Sequence, residues 1–146
     1  MSSIPEIVEA LAGALEPLRG DIPDLQVFPY WLAQCTPPTI DIYPGDPFQD
    51  GLAFGSRGGA SMFFTVRARV TTADSVAGQQ LLYEMLEPET GVGAALTADQ
   101  TLGGVVDSLY IGEDGNPGVS GLREYVEDTA VNGRLLGCEW RARILT

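Results

Sequence analysis

The sequence predicts an α+β domain: a mixed, mostly antiparallel sheet of about four to six strands, with two to three helices packed on one face. Three observations predict it. A capped amphipathic helix opens the chain. Strict apolar/polar alternation runs from Ser61 to Thr72 and again from Leu135 to Leu145. Between them lies a helical stretch that Pro88 stops. The 146 residues are the size of one domain, so a single unit over 1–146 is expected, with a long loop at about 44–59. A chain this long buries roughly 70% of its unfolded surface and folds without staples.

The first helix is marked by Ser3-Ile4-Pro5-Glu6, which has capping-box spacing and a proline in the first turn. Ile4, Ile7, Val8, Leu11 and Leu15 recur at helical spacing, and Pro17 and Gly20 end the run. Leu25 to Trp31 reads as an edge or irregular strand, because Pro29 lacks an N–H. Pro37-Pro38 is a rigid corner. Thr39 to Tyr43 alternates, with Ile40 and Ile42 on one side and Thr39, Asp41 and Tyr43 on the other. The connection from Pro44 to Gly59 is rich in glycine and proline and carries Phe48, Leu52 and Phe54.

Met62, Phe64, Val66, Ala68 and Val70 form one face of the next strand; Phe63, Thr65, Arg67, Arg69 and Thr71 form the other. A helix capped by Asp74 follows to about Leu86, with Leu82, Met85 and Leu86 inward and Gly78 permitting close packing. Gly93 to Gln100 reads as a shorter helix. Val105 to Ile111, Leu122 to Asp128 and Leu135 to Leu145 read as strands, the last two joined by a turn at Asn132-Gly133. In the last strand Leu136, Cys138, Trp140, Ala142 and Ile144 share a face, and Glu139, Arg141 and Arg143 share the opposite one.

Charge excludes much chemistry. Twenty acidic residues stand against 8 basic ones, giving −12, and every basic residue is arginine. Binding nucleic acid by neutralising phosphates is not expected. With no histidine and no lysine, neither a Ser-His-Asp nor a Cys-His mechanism, nor a lysine nucleophile, can be built. We expect no enzyme, no cofactor and no metal. Asp41, Asp46 and Asp50 do not match a calcium loop. Cys35 and Cys138 form no CxxC, and a buried free thiol is expected at Cys138. No apolar run reaches the roughly 18 residues of a membrane span. The start of the chain lacks the basic and apolar blocks of a secretory signal. A soluble protein is expected, used in a cell or built into a particle assembled there.

One pattern stands out. Val66-Arg67-Ala68-Arg69-Val70 is echoed by Trp140-Arg141-Ala142-Arg143-Ile144. Period two puts all four arginines on the face opposite the core. Two readings stay open. The arginines are solvated and pair with cross-strand acids such as Asp41 and Glu139. Alternatively, this basic face meets an acidic face of a neighbouring copy, which makes head-to-tail association feasible for a chain at −12.

From Phe63 onward the order of parts resembles the tail terminator proteins of long, non-contractile-tailed phages, also known as minor tail or tail-completion proteins. The resemblance rests on Phe64-Thr65-Val66-Arg67-Ala68, on Thr72-Ala73-Asp74-Ser75 with Leu81-Leu82-Tyr83-Glu84-Met85-Leu86, and on Gly93-Ala94-Ala95-Leu96-Thr97-Ala98-Asp99. Thr101-Leu102-Gly103-Gly104-Val105-Val106 and the closing Gly137-Cys138-Glu139-Trp140-Arg141-Ala142-Arg143 are similar to that family as well. The first helix matches in position only.

The resemblance implies a virion subunit at the tail–neck junction, assembled in the host cytoplasm. It implies a six-membered homo-oligomeric ring that caps the tail tube, ends its polymerisation and offers a surface for head–tail joining. Partners would be the tube protein, head–tail connector or neck proteins, and the tape-measure protein. DNA would pass through the lumen without specific binding, past a wall expected to be acidic or neutral. Arg67, Arg69, Arg141 and Arg143 would then lie between subunits. Phe48 and Phe54 would anchor the long loop to a neighbour or the tube, with Arg57 as a charged partner; the alternative is that the loop packs on its own domain. A head-completion or neck protein is a second reading, and a small ligand-binding α+β domain a third.

Overall fold

The computed structural model describes residues 3–49, 61–71, 76–112, 118–126 and 134–146. Helix α1 is Ile4–Leu15, and a single turn, α2, covers Leu18–Asp21. Strands β1 (Gln26–Phe28), β2 (Thr39–Gln49) and β3 (Ser61–Val70) follow. Then come α3 (Val76–Leu86), α4 (Val92–Thr97), β4 (Ser108–Tyr110), β5 (Val119–Val126) and β6 (Arg134–Leu145). The six strands form one mixed sheet in the order β1-β2-β3-β6-β4, with β5 also on β6. Among the described residues only the β1–β2 pair is parallel. β4 and β5 share one edge of β6, β4 pairing near Ile144 and β5 between Arg134 and Trp140. The architecture is α+β, as the patterning predicts.

The helices pack on one face. Ile7, Leu11 and Leu15 of α1, Leu82 and Met85 of α3, and Val92 and Leu96 of α4 are buried against the sheet. The sheet meets them with Ile40, Ile42, Phe64, Val66, Ala68, Cys138, Trp140, Ala142 and Ile144. These are the alternating positions that the sequence assigns to the core. Ser3 caps α1: its hydroxyl oxygen accepts from the Glu6 N–H at 3.3 Å, which satisfies one orphan donor. Gly78 is needed where α3 crosses the end of β3, since a Cβ there would lie 2.9 Å from the Thr71 carbonyl oxygen. Cys35 and Cys138 are both buried, and burial, then the nearby Glu139 charge, pushes the Cys138 thiol up to about 12.

Several elements differ from expectation: α2 is an added turn, β1 keeps only Gln26–Phe28 of Leu25 to Trp31, and α4 ends at Thr97 rather than Gln100. β2 runs on to Gln49 rather than stopping at Tyr43, with a register irregularity between Pro44 and Gln49 where the prolines interrupt the ladder. Part of the predicted 44–59 loop is therefore strand. Conversely, the strand expected from Val105 shrinks to Ser108–Tyr110. Val105 and Val106 belong to a turn, their N–H groups donating to the carbonyls of Leu102 and Thr101. Asp99 organises that turn, accepting from the N–H of Thr101 and of Gly103 and from the Thr101 hydroxyl. β5 begins at Val119, three residues before the predicted start. The Asp74 cap and the Asn132-Gly133 turn lie outside the described residues.

Candidate functional site on the outer face of the sheet

The connection from β1 to β2 decides what the arginine face becomes. The two strands are parallel neighbours, so the chain between them must cross back over the sheet. It does so as a short strap, residues 29–38, laid over the face opposite the helices. The Pro37-Pro38 bond at its end is cis.

Beneath the strap the ladder aligns Thr39, Arg69 and Gly137 in one row, and Asp41, Arg67 and Glu139 in the next. Asp41 is fully buried, and Arg69 is 1% exposed. Arg67 makes a two-pronged bond to Asp41, Nε to Oδ1 at 3.1 Å and a terminal nitrogen to Oδ2 at 2.6 Å. Arg69 reaches the same carboxylate at 3.5 Å. The Leu32 N–H donates to Asp41 Oδ2 at 3.1 Å. The Leu32 carbonyl accepts from Arg67 at 2.7 Å and from Arg69 at 2.9 Å, and the Ala33 carbonyl accepts from Arg69 at 3.3 Å. One carboxylate and two guanidiniums thus clamp the strap by its backbone.

The arrangement answers an electrostatic problem. Burying a charge costs several kcal/mol unless it is paired and hydrogen-bonded. The strap supplies carbonyl acceptors for the donors that Asp41 leaves over. Burial works against the Arg67 charge, but the bond and Coulomb attraction to Asp41 hold its pKa above the usual value. The Arg67 guanidinium also lies 5.3 Å from the Tyr43 ring centre and 5.8 Å from that of Tyr125. Burial first of all pushes both phenols up to about 12, with Glu139 adding to it. Gly137 leaves room for Tyr125 to lie on the sheet: a Cβ there would sit 2.9 Å from its ring. The Tyr125 hydroxyl donates to the Gly121 carbonyl at 2.9 Å.

Toward the other end of the face the packing opens. Arg141 stacks 3.9 Å from the Phe63 ring centre, and Arg143 Nε donates to the Ser61 hydroxyl at 3.1 Å. Both are half-buried. Arg123 lies 4.7 Å from the Tyr125 ring centre and is exposed.

The candidate interface residues therefore separate. Arg67 and Arg69 are engaged within the chain and covered by the strap, so Arg69 is out of reach unless the strap lifts. Their pairing with Asp41 matches the first of the two readings, but Arg69 is buried and Arg67 half-buried rather than solvated. Arg141 and Arg143 remain accessible. Phe48 is partly buried and meets Phe64 edge-on at 5.5 Å and 89°, so it packs on its own core. Phe54 and Arg57 lie outside the described residues.

Sequence reasoning missed the strap. It also missed what the strap displays: Tyr30 is 54% and Trp31 58% exposed, immediately before the clamped Leu32. The signal was present in a Tyr-Trp pair beside a proline, in a segment with no apolar periodicity to bury it. On the helix side, a cleft of about 310 Å³ runs between α1 and α4, lined by Ala10, Gly13, Ala14 and Pro17 on one wall and Ala95, Ala98 and Asp99 on the other. The Asp99 carboxyl is held below its usual range by the Thr101 hydroxyl and two N–H donors. Among the described residues no three metal-ligating side chains gather, and no helix is long and apolar enough to cross a membrane. No protein-family model and no curated protein matches the chain.

Proposed function

We propose that this chain is a virion structural subunit that assembles head to tail into a ring, caps the tail tube of a long-tailed phage and carries the head–tail joining surface. The observation that carries the reading is the segregation of charge between the two sides of the sheet. The outer face presents Arg123, Arg141 and Arg143 at its surface, while Arg67 and Arg69 are paired with Asp41 beneath the strap. The helices and their connections hold the exposed Glu6, Glu9, Glu16, Glu84, Glu87 and Asp99, with Arg19 the one basic residue there among the described residues. A chain at −12 repels its own copies unless opposite charges are brought together. Two faces of opposite sign on one subunit favour a contact in which each copy offers a different patch.

The resemblance to tail terminators supplies the place of such a ring. An excess of acid on the remaining surface lets DNA slide past without sticking. The lack of histidine and lysine agrees with a structural rather than catalytic role.

Electron microscopy of the purified protein, alone and with isolated tail tubes, tests the reading. The expected result is rings with a central hole, or density added at one end of each tube. A protein that stays monomeric and leaves tube ends bare overturns it. Decoration at the capsid portal instead moves the subunit to the neck.

A further inference from the structure

Resting on that ring, we infer that its subunit contact is a knob in a cleft: Tyr30 and Trp31 on the strap of one copy insert between α1 and α4 of the next. Three observations converge. First, Tyr30 and Trp31 are large aromatics left more than half exposed, yet the segment bearing them is fixed. The Leu32 backbone beside them is bonded at both its N–H and its carbonyl to Asp41, Arg67 and Arg69. The Tyr30 ring leans on Phe28 at 5.5 Å. A rigid aromatic anchor loses little entropy on docking, the usual character of an interface hot spot.

Second, the cleft is shaped for a large apolar group. Its α1 wall is Ala10, Gly13, Ala14 and Pro17, and it encloses about 310 Å³. A Cβ built on Gly13 meets nothing within 4 Å, so the space is open on that side.

Third, the charges around knob and cleft are opposite. The cleft has Asp99 in its wall, and helical spacing places Glu6 and Glu9 one turn before Ala10 and Gly13. The knob stands on the sheet face that carries Arg123, Arg141 and Arg143, each at least partly exposed. Knob and cleft lie on opposite sides of the sheet of one subunit. The contact is therefore heterologous, and repeating it gives a ring where the rotation closes and a filament where it does not.

The test uses the full chain with Trp31→Ala and, separately, Gly13→Leu, which fills the cleft. Ala98→Leu, at an exposed position on the other wall, is a second blocking variant should Gly13→Leu fail to fold. Sedimentation reads assembly. Intrinsic fluorescence reads Trp31, because Trp140 is already buried. Wild-type association is expected to shift the emission to the blue, and each single variant to weaken association about thirtyfold or more. The two variants mixed should give dimers and nothing larger, since Trp31→Ala keeps a cleft and Gly13→Leu keeps a knob. Variants that assemble like wild type, or that stay monomeric when mixed, overturn the inference. If Trp31→Ala still decorates tube ends normally, the capping reading stands and this contact does not. If mixed variants form dimers while wild type leaves tube ends bare, the contact stands and the capping reading falls.

Discussion

The two faces of the sheet are made by the same strands and buried by opposite means. On the helix side, Phe64, Val66, Trp140 and Ile144 are covered by apolar helices, and the contact is non-directional. On the other side, Asp41, Arg67 and Arg69 are covered by ten residues of connecting chain, and the contact is a set of directed hydrogen bonds. The first kind of burial tolerates substitution of similar volume. The second fails when one partner is removed, because the others are left buried and unanswered. The difference teaches where this chain keeps its stability and where it fixes its shape.

The strongest way to break the comparison is Asp41→Ala. Two buried guanidiniums lose their carboxylate, and a loss of about 3–5 kcal/mol is expected in urea unfolding. Replacing all three charges by apolar residues of similar size should cost much less, and measuring both variants separates pairing from packing. Phe64→Ala on the helix face should cost a similar amount, about 3–5 kcal/mol, through a cavity rather than a charge. The two losses should differ in one respect: added salt leaves the Phe64 variant's deficit unchanged.

Gly137→Ala is a smaller test. Its Cβ would press on the Ala68 carbonyl and the Tyr125 ring, so about 1–3 kcal/mol of overpacking is expected in thermal unfolding. Alkaline titration sharpens the contrast further. The folded protein holds the Tyr43 and Tyr125 protons to about 12, against a usual value near 10. Folded Tyr therefore binds its proton more tightly than unfolded Tyr. The associated stability is complete below about pH 10 and is lost as pH rises through 12. Cys138 behaves alike from about pH 9. Tyr43→Phe should flatten the slope above pH 10, and an unchanged slope would mean that Tyr43 is not protected. The smallest effect is expected from Trp31→Ala, within about 0.5 kcal/mol in the isolated subunit, since the side chain is 58% exposed.

The helix-covered face was legible in the sequence because alternation reports burial by side chains. Met62 through Val70 and Leu136 through Ile144 declare their inward positions residue by residue. The strap face was legible only to the point of a shared arginine row. Its cover is the backbone of Leu32 and Ala33, and every residue carries the same N–H and C=O. No composition distinguishes a carbonyl that meets Arg69 from one that meets water. Element boundaries failed for a related reason. Val105 and Val106 have strand-like side chains, but a turn organised by Asp99 takes their N–H groups. The prolines at 44 and 47 argued against a strand that nevertheless continues past a register irregularity. The exposure of Trp31 was not legible either, since only the clamp on Leu32 beside it holds that segment in place.

The short outer strands carry one more consequence. β1 offers three residues and runs into Pro29, which has no N–H to give. β4 also offers three, and the β5 ladder breaks its register between Ser120 and Arg123, where Gly121 takes φ of 65°. Such edges make poor templates for amyloid-like strand addition. The chain can thus carry a β-rich core and an exposed Tyr30-Trp31 pair without seeding cross-β aggregates. Any contact the chain makes is left to its side-chain surfaces rather than to its strand edges.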